Sequence, residues 1–396
     1  MVITILGRQP AIGLAELEAL YGSEAVRPAG KSAALVDGTI DFARLGGSVK
    51  AGTVLTTLLG TNPQKAFAYL QKNLPSHVET IEGKLKLGVS LYDLAMPVAK
   101  LNANTLSLKK ALKSAGQSVR VVPNTELALS SAQTYHNNLT DERGCEIMVV
   151  RDGDSMIIAR ATHVQGIDAY RKRDQERPHR DTFVGMLPPK LAQTIINLAS
   201  FTLDEKRTTA TAQKTDGLVM LDPFCGTGVV LQEAALMGYE IYGTDLSEKM
   251  VRYSRDNLNW LFEKYRMKTG VFYETADATD HTWRQPIDLV ACEGYLGHPF
   301  AAEPTKEALM ETVQTCNVIM RKFLKNIGPQ IKPGTQLCIA APAWFVRGQV
   351  YRLPALDDLE SLGYNRIDFV HANREDLVYH RTDQVTGREL VVLTKE

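Results

Sequence analysis

The strongest chemical signal in the sequence is a short acidic, glycine-rich segment, DPFCGTG, which runs from Asp222 to Gly228. It follows an apolar run typical of a buried strand and precedes a run typical of a helix. Gly226 and Gly228 would allow a tight turn and a close approach of the backbone to a ligand. The third glycine of the dinucleotide fingerprint is missing, because Leu231 occupies its position. A carboxylate at 222 would repel a pyrophosphate but would suit a cationic ligand such as S-adenosylmethionine (SAM).

Two more aspartates follow the next two predicted strands. Asp245 lies 17 residues after Gly228, near the distance at which a carboxylate accepts hydrogen bonds from two ribose hydroxyls. Asp277 follows the third strand, where it could meet an adenine amino group. Each aspartate could instead be a simple turn former, but three acids at three successive strand ends favour a shared ligand. We therefore predict that the residues that bind SAM are Asp222, Phe224, Gly226, Gly228, Asp245 and Asp277.

Residues 185–396 alternate strand-like and helix-like patterns around these motifs. The predicted strands cover 218–221, 240–243, 287–291 and 336–341, and the predicted helices cover 229–237, a segment that Ser247 begins, and 306–324. Two further apolar runs, 377–380 and 388–394, predict a terminal antiparallel hairpin. Repeated strand–helix–strand units predict an α/β fold with a Rossmann-like, doubly wound sheet.

Residues 1–165 predict α+β modules instead, which we divide into domains 1–84 and 85–165. Strands are predicted at 2–6, 51–59, 86–92 and 119–122, with helices at 14–21, 104–115 and 127–139. The apolar runs 146–150 and 156–163 surround an Asp-Gly turn and predict a hairpin. Residues 166–184 then form a linker, in which 170–180 contains five basic residues. That stretch is either a solvated linker or a basic strap that touches phosphates.

Several of these segments resemble the THUMP-domain tRNA guanosine N2-methyltransferases of the position-10 type. DPFCGTG is similar to the SAM motif of class I amino-methyltransferases that act on nucleic acids. The block 119–165 is similar to a THUMP RNA-binding domain joined to a ferredoxin-like partner. The remaining matches are LGRQP at 6–10 with LAELE at 14–18, PPKLA at 188–192, and YHRTDQVTGREL at 379–390. The resemblance implies SAM as the cofactor, tRNA as the partner and the N2 amine of a guanosine as the methyl acceptor.

In this family the fourth strand ends in a motif of the Asp-Pro-Pro-Tyr type. A side-chain oxygen and a backbone carbonyl accept the amine hydrogens, and an aromatic ring stacks on the base. Here residues 288–297 are DLVACEGYLG, which places Glu293 at the aspartate position and Gly294 and Tyr295 at the prolines. Leu296 replaces the aromatic residue, although a shift of one residue would keep Tyr295 as the stacking ring. The resemblance thus implies Glu293, Gly294 and Tyr295 as the catalytic residues.

The departure from the motif leaves three interpretations open. Glutamate is one methylene longer than aspartate, and Gly294 loosens a turn that prolines would stiffen. The site could be a working variant, could act on a different amine, or could belong to a tRNA-binding protein whose catalysis has decayed. An NAD-dependent oxidoreductase is disfavoured by the missing glycine and by Asp222. DNA or protein-glutamine methylation shares the chemistry, but the THUMP-like half favours RNA.

The composition of the 396-residue chain excludes several classes of protein. With 44% hydrophobic and 23% charged residues it can form a packed core, and its length predicts two or three domains. The chain has 45 Lys and Arg residues and 45 Asp and Glu residues, so its formal net charge is zero. A polyanion would therefore have to bind to a local patch of basic residues. No apolar run reaches the roughly 18 residues of a membrane span, and the N-terminus lacks the features of a signal peptide.

Cysteine usage bears on metals and on location. The five cysteines are widely spaced and form no C-x-x-C pair, so we predict neither a metal site nor a disulfide framework. A reducing cytoplasm is the corresponding location. The family includes enzymes that need a small activator subunit and enzymes that act alone. The sequence decides neither that point nor the oligomeric state.

Overall fold

The computed structural model describes residues 1–78, 80–181, 187–200, 215, 217–300 and 302–396. Within these residues the chain forms an eight-stranded sheet from the N-terminal 164 residues and a nine-stranded sheet from residue 219 onward. The two sheets confirm the predicted combination of an α+β half with an α/β half. No helix in this described part is long and apolar enough to span a membrane.

The N-terminal sheet has the strand order β2-β3-β1-β4-β8-β7-β5-β6. Its elements are β1 (Val2–Leu6), α1 (Pro10–Tyr21), β2 (Val26–Ala29), β3 (Ala33–Val36), β4 (Ser48–Leu59), α2 (Pro63–His77), β5 (Lys84–Tyr92), α3 (Val98–Ser114), β6 (Ser118–Val121), α4 (Ser131–His136), β7 (Gly144–Asp152) and β8 (Ser155–Val164). The hairpin predicted around the Asp-Gly turn is β7–β8, with Gly153 at a φ of +57°.

Helices α3 and α4 differ from their predicted bounds for local reasons. The helix predicted at 127–139 is only α4, because Ser130 begins it with a capping box that includes Gln133. The preceding Leu129 is held outside the helix by the hydroxyl of Ser90, which accepts its N–H at 2.9 Å. Helix α3 begins six residues earlier than predicted, directly after Pro97, which suits the start of a helix.

The eight strands continue across the predicted boundary at residue 84. Strand β4 pairs antiparallel with β8 from Lys50 opposite Val164 to Leu59 opposite Ser155. Helix α2, which precedes the boundary, buries Phe67 and Leu70 in the same apolar core as strands β5 and β7. The division into 1–84 and 85–165 and the THUMP-like character of the second part remain predictions.

The C-terminal sheet has the path β11-β10-β9-β12-β13-β17-β15, with β14 pairing to β13 and β16 to β17. Its elements are α6 (Pro189–Leu198), β9 (Val219–Asp222), α7 (Val229–Leu236), β10 (Glu240–Asp245), α8 (Glu248–Tyr265), β11 (Val271–Thr275), β12 (Leu289–Glu293), α9 (Lys306–Ile327), β13 (Gln336–Val346), β14 (Gln349–Tyr351), β15 (Tyr364–Arg366), β16 (Val378–Tyr379) and β17 (Thr386–Lys395). The first five strands of the path are parallel, and β17 enters antiparallel beside β13. Apolar cores cover both faces of the sheet, so the doubly wound prediction is confirmed.

The segment predicted as a linker is mostly a packed helix, α5 (Ile167–Gln175). Its Arg173 is 9% exposed and its Nε donates to Glu233 Oε1 of α7 at 2.7 Å. Arg177 is also buried. The expectation that the whole stretch 170–180 is solvated is therefore wrong, because Arg173 is held by a buried carboxylate. Residues 182–184 of the linker, and Met186 before α6, lie outside the described residues.

Helix α1 of the N-terminal half docks directly on α6. The buried Glu16 accepts the backbone N–H groups of Gly46 and Gly47 at 2.8 and 2.7 Å and the side-chain amide of Asn197 at 2.8 Å. Lys190 of α6 donates to the carbonyl of Ser48 at 2.9 Å, and burial lowers its pKa to about 8. These polar contacts fix the N-terminal half against α6, which packs over β12 and β13 on one face of the C-terminal sheet.

Candidate functional site

The glycine-rich segment forms the predicted turn between β9 and α7. Gly226 and Gly228 have φ values of +50° and +82°, which favour glycine. The N–H of Gly228 donates to the carbonyl of Cys225 at 2.7 Å and closes the turn. A Cβ at position 228 would lie 2.4 Å from Ser254 Oγ on α8, so both conformation and packing require glycine there. Phe224 is half-buried, and its ring meets the edge of Phe323 at 5.2 Å.

Asp222 is the last residue of β9, and only 1% of it is exposed. Its Oδ1 accepts the N–H of Phe224 at 3.1 Å. Burial raises the pKa of this carboxyl well above its ordinary value, and the negative charges of Asp245 and Glu293 raise it further. A cation bound at this position would stabilise the ionised form of Asp222.

Asp245 ends the neighbouring strand β10 and connects it to the turn. Its Oδ2 accepts the N–H of Gly226 at 3.0 Å, and its Oδ1 accepts the N–H of Ser247 at 2.9 Å. Each carboxylate oxygen keeps one acceptor position for a ligand hydroxyl. Ser247 precedes α8 as predicted, but its side chain makes no capping hydrogen bond, and its own N–H donates to Asp245 Oδ1.

Asp277 lies two residues after β11, where the chain bends. Its Oδ1 accepts the N–H of Thr279 at 2.9 Å, so it stabilises its own turn. The adjacent Ala276 donates its N–H to the carbonyl of Asp245 at 3.0 Å. Asp277 is thus close in the backbone to Asp245, and its contact with an adenine remains a prediction.

Glu293 is the last residue of β12, a strand that lies two residues later than predicted. It is partly exposed, and its Oε1 accepts a hydrogen bond from Nε of Arg388 on β17. The N–H of Gly294 donates to the carbonyl of Ala340 at 3.0 Å. Tyr295 is 37% exposed, so its ring is accessible. Gly297 has a φ of +80°, and a Cβ there would lie 2.5 Å from Thr312 Cγ2.

Three acidic strand ends meet at one edge of the sheet. Asp245, Asp222 and Glu293 end β10, β9 and β12, which are adjacent in that order. In doubly wound sheets ligands bind beyond the carboxyl ends of the strands, where the strand order reverses, and the reversal here lies between β9 and β12. Arg388, which contacts Glu293, was missed because it is 95 residues away in sequence. Its position within YHRTDQVTGREL was the available signal.

The class of the C-terminal domain follows from its fold and from two comparisons. Residues 214–380 match the family model of a methyltransferase domain, and residues 127–256 match a model described as a DNA methylase. The crystal structure of TrmN from Thermus thermophilus superimposes with a TM-score of 0.53 at 17% identity, covering 100% of this chain and 99% of that one. The chain therefore has a methyltransferase fold.

Three curated relatives make the similarity more particular, and each is a tRNA (guanine(10)-N2)-dimethyltransferase. The protein from Methanothermobacter thermautotrophicus is 29% identical over 171 residues, 43% of either chain. The Methanocaldococcus jannaschii protein is 36% identical over 151 residues, covering 36% of this chain and 39% of that protein. The Pyrococcus abyssi protein is 40% identical over 85 residues, 21% of either chain. The matched segments thus span less than half of these relatives. They confirm the predicted resemblance to tRNA guanosine N2-methyltransferases, whereas its THUMP-like part remains a prediction.

Proposed function

We propose that this protein is a SAM-dependent tRNA methyltransferase that transfers a methyl group to the exocyclic N2 amine of a guanosine. The observation that carries the proposal is the convergence of Asp222, Asp245 and Glu293 on three adjacent strand ends beside a glycine turn. The names of the curated relatives support tRNA and the N2 amine of guanosine as the substrate.

The residues of the turn fit SAM. Gly226 and Gly228 leave the turn without side chains, so a ligand can lie against its backbone. Asp245 has free acceptor positions for two ribose hydroxyls, and Asp222 offers a buried carboxylate toward a cationic group. SAM supplies an activated methyl group on a positively charged sulfur. The protein's task is then to bring a nucleophilic nitrogen into line with that methyl.

Glu293 would accept one hydrogen of the target amine, with the carbonyl of Gly294 as the second acceptor. That carbonyl accepts no hydrogen bond from any described residue. Two acceptors orient the nitrogen lone pair toward the methyl group and stabilise the positive charge that develops during transfer. Because the nitrogen can lose its proton after the methyl has moved, Glu293 need not be a strong base. Tyr295 is the exposed ring that would stack on the base.

The tRNA would bind to a basic surface of the N-terminal half. Residues 63–121 contain nine lysines and arginines against three acidic residues, a formal excess of six positive charges. Helix α3 alone has four lysines and no acid, and β6 beside it forms the edge of the sheet. Lys110, Lys113 and Arg120 are exposed and form no ion pair with any described residue. This surface provides the local patch that a chain of zero net charge requires.

The proposed activity would operate in the cytoplasm. All five cysteines are free and buried, which suits a reducing compartment where mature tRNA is present.

A methyl-transfer assay on undermodified tRNA, read by mass spectrometry of the nucleosides, tests the function. Wild type should produce N2-methylated guanosine. Glu293→Ala should lose about a hundredfold or more in turnover, with nearly unchanged SAM affinity. Glu293→Gln should keep part of the activity, because its amide oxygen still accepts a hydrogen bond from the amine or from Arg388. Glu307→Ala, an exposed acid at the start of α9, is the control and should behave as wild type.

Two outcomes would count against the proposal in different ways. A fully active Glu293→Ala would place the amine acceptor elsewhere. A wild-type protein that binds SAM and tRNA but methylates no nucleoside would identify a tRNA-binding protein whose catalysis has decayed.

A further inference from the structure

Arg388 is a cationic side chain that contacts the candidate catalytic acid, Glu293. The described residues use only part of its capacity to donate hydrogen bonds. It lies on β17, opposite Pro342 of β13 and Tyr379 of β16. Only 9% of its side chain is exposed, and its Nε donates to Glu293 Oε1. Its two Nη groups donate no hydrogen bond within the described residues, and neither is closed off from solvent. Two donors therefore remain available beside the Glu293 carboxylate.

A second buried ion pair, between Glu389 of the same strand and Arg366, shows how a purely structural pair differs from that of Arg388 with Glu293. Glu389, the next residue, accepts from Arg366 at 2.7 Å and contacts Arg352 at 3.0 Å, so two cations hold one carboxylate. Arg388 instead contacts an acid that the strand order places beside Asp222. It supplies positive charge where three carboxylates converge, and it leaves the second oxygen of Glu293 without a protein donor.

The paired side chains offer a row of donor and acceptor groups that matches one edge of guanine. That edge presents, in order, the acceptor O6 and the donors N1–H and N2–H. A guanidinium donor beside a carboxylate meets the acceptor and the two donors in the same order. Adenine and cytosine present a donor amine first and an acceptor second. In the orientation that guanine takes, they would leave Arg388 or Glu293 without its hydrogen bond, and they would have to bind in the reversed orientation to form both bonds.

Building on the proposed function, we propose that Arg388 determines specificity for guanosine: it holds Glu293 in position through Nε and donates through Nη to O6 of the target base. Glu293 then accepts from the N1–H and from the amine to be methylated. Losing Arg388 should weaken recognition of the base while leaving the SAM turn folded, because Arg388 forms its hydrogen bond and ion pair with Glu293 and none with residues 222–228.

A double-mutant cycle between protein and base tests the proposal. The substrates are tRNA transcripts with either guanosine or 2-aminopurine at the nucleotide that wild type methylates. 2-Aminopurine keeps the 2-amino group but lacks O6 and N1–H. Changing guanosine to 2-aminopurine should lower kcat/KM of wild type at least about tenfold more than it lowers kcat/KM of Arg388→Met. Arg388→Lys, which keeps the charge and a donor, should recover part of this difference.

Arg366→Met is the matched control, because Arg366 is an equally buried arginine paired with the adjacent residue of the same strand. It should lower kcat/KM by the same factor on both substrates. SAM titration by calorimetry establishes that each variant is folded. If Arg388→Met fails to bind SAM, Arg388→Gln takes its place in the cycle, since it keeps one donor toward Glu293 and removes the second. If the change from guanosine to 2-aminopurine lowers kcat/KM by the same factor in wild type and in the Arg388 variant, the proposed role of Arg388 is overturned and the proposed function is left intact. A wild type that methylates no guanosine would overturn the proposed function first.

Discussion

Asp245 offers the sharpest test of the proposed SAM site, because its carboxylate holds the turn and is also proposed to bind the ribose of SAM. Its two oxygens accept the N–H groups of Gly226 and Ser247 at 3.0 and 2.9 Å. In the proposed complex they would also accept the two ribose hydroxyls. Replacing Asp245 with alanine removes all four interactions, whereas asparagine keeps one acceptor oxygen and loses the charge.

The size of the effect follows from these contacts. A hydrogen bond to a charged group contributes about 1.5–3 kcal/mol, so losing the pair to the ribose should cost roughly 2 kcal/mol or more. At about 1.4 kcal/mol for each factor of ten, the Kd for SAM should rise about thirtyfold or more. Two backbone donors left without their acceptor should also lower the free energy of unfolding by about 1–3 kcal/mol. Asp245→Asn should lie between wild type and Asp245→Ala in both measurements.

Calorimetric titration with SAM, alongside thermal unfolding, separates the two roles. Asp280→Ala, an exposed acid three residues after Asp277, is the control and should leave Kd unchanged. An Asp245→Ala protein that unfolds at the same temperature and binds SAM as tightly as wild type would refute the assignment. A protein that is destabilised but binds SAM with unchanged affinity would limit Asp245 to holding the turn.

Three more outcomes follow from charge. Burial raises the pKa of Asp222, so binding of a cationic ligand should release protons, and SAM affinity should rise as the pH increases from acid toward neutral. Calorimetry in two buffers of different ionisation enthalpy measures this proton release. Asp222→Asn should reduce it, and the remainder should come from Asp245, whose pKa burial also raises. Removing Lys110, Lys113 and Arg120 together should weaken tRNA binding and reduce its salt slope by about 2 to 3, whereas removing the three lysines of α9 should do neither. Burial lowers the pKa of Lys190 to about 8, against an ordinary value near 10.5. Between about pH 8 and 10.5 the side chain of Lys190 therefore binds fewer protons in the folded protein than in the unfolded chain, so its contribution to stability rises with pH in this range. A Lys190→Met protein should therefore gain less in melting temperature than wild type between about pH 8 and 10.

Most of the C-terminal sheet could be predicted because β9, β12 and the first half of β13 are apolar runs that are buried in the sheet, and β10 is buried between its two ends. Strand β11 is the exception, since its residues are half-buried or exposed and it gave no such apolar signal. The acids Asp222 and Asp245 end such runs, so strand order alone brings them together. Helix α5 could not be predicted in the same way. Its burial depends on Arg173 meeting Glu233, 60 residues away, and a charged run gives no local sign of such a partner. Arg388 is a similar case, since only the insertion of β17 beside β13 brings it to Glu293.

The departures from the Asp-Pro-Pro-Tyr pattern have physical compensations in the structure. Glutamate has one more rotatable bond than aspartate, and the bond from Arg388 removes part of that freedom. Glycine at 294 lacks the stiffness of proline, but its N–H donates to Ala340, a bond that proline has no hydrogen to make. The turn is then closed at Gly297, where the left-handed backbone and the contact with Thr312 tolerate only glycine. One restraint thus acts on the Glu293 carboxylate and two act on the turn that follows it, and together they support the working variant as the interpretation we favour.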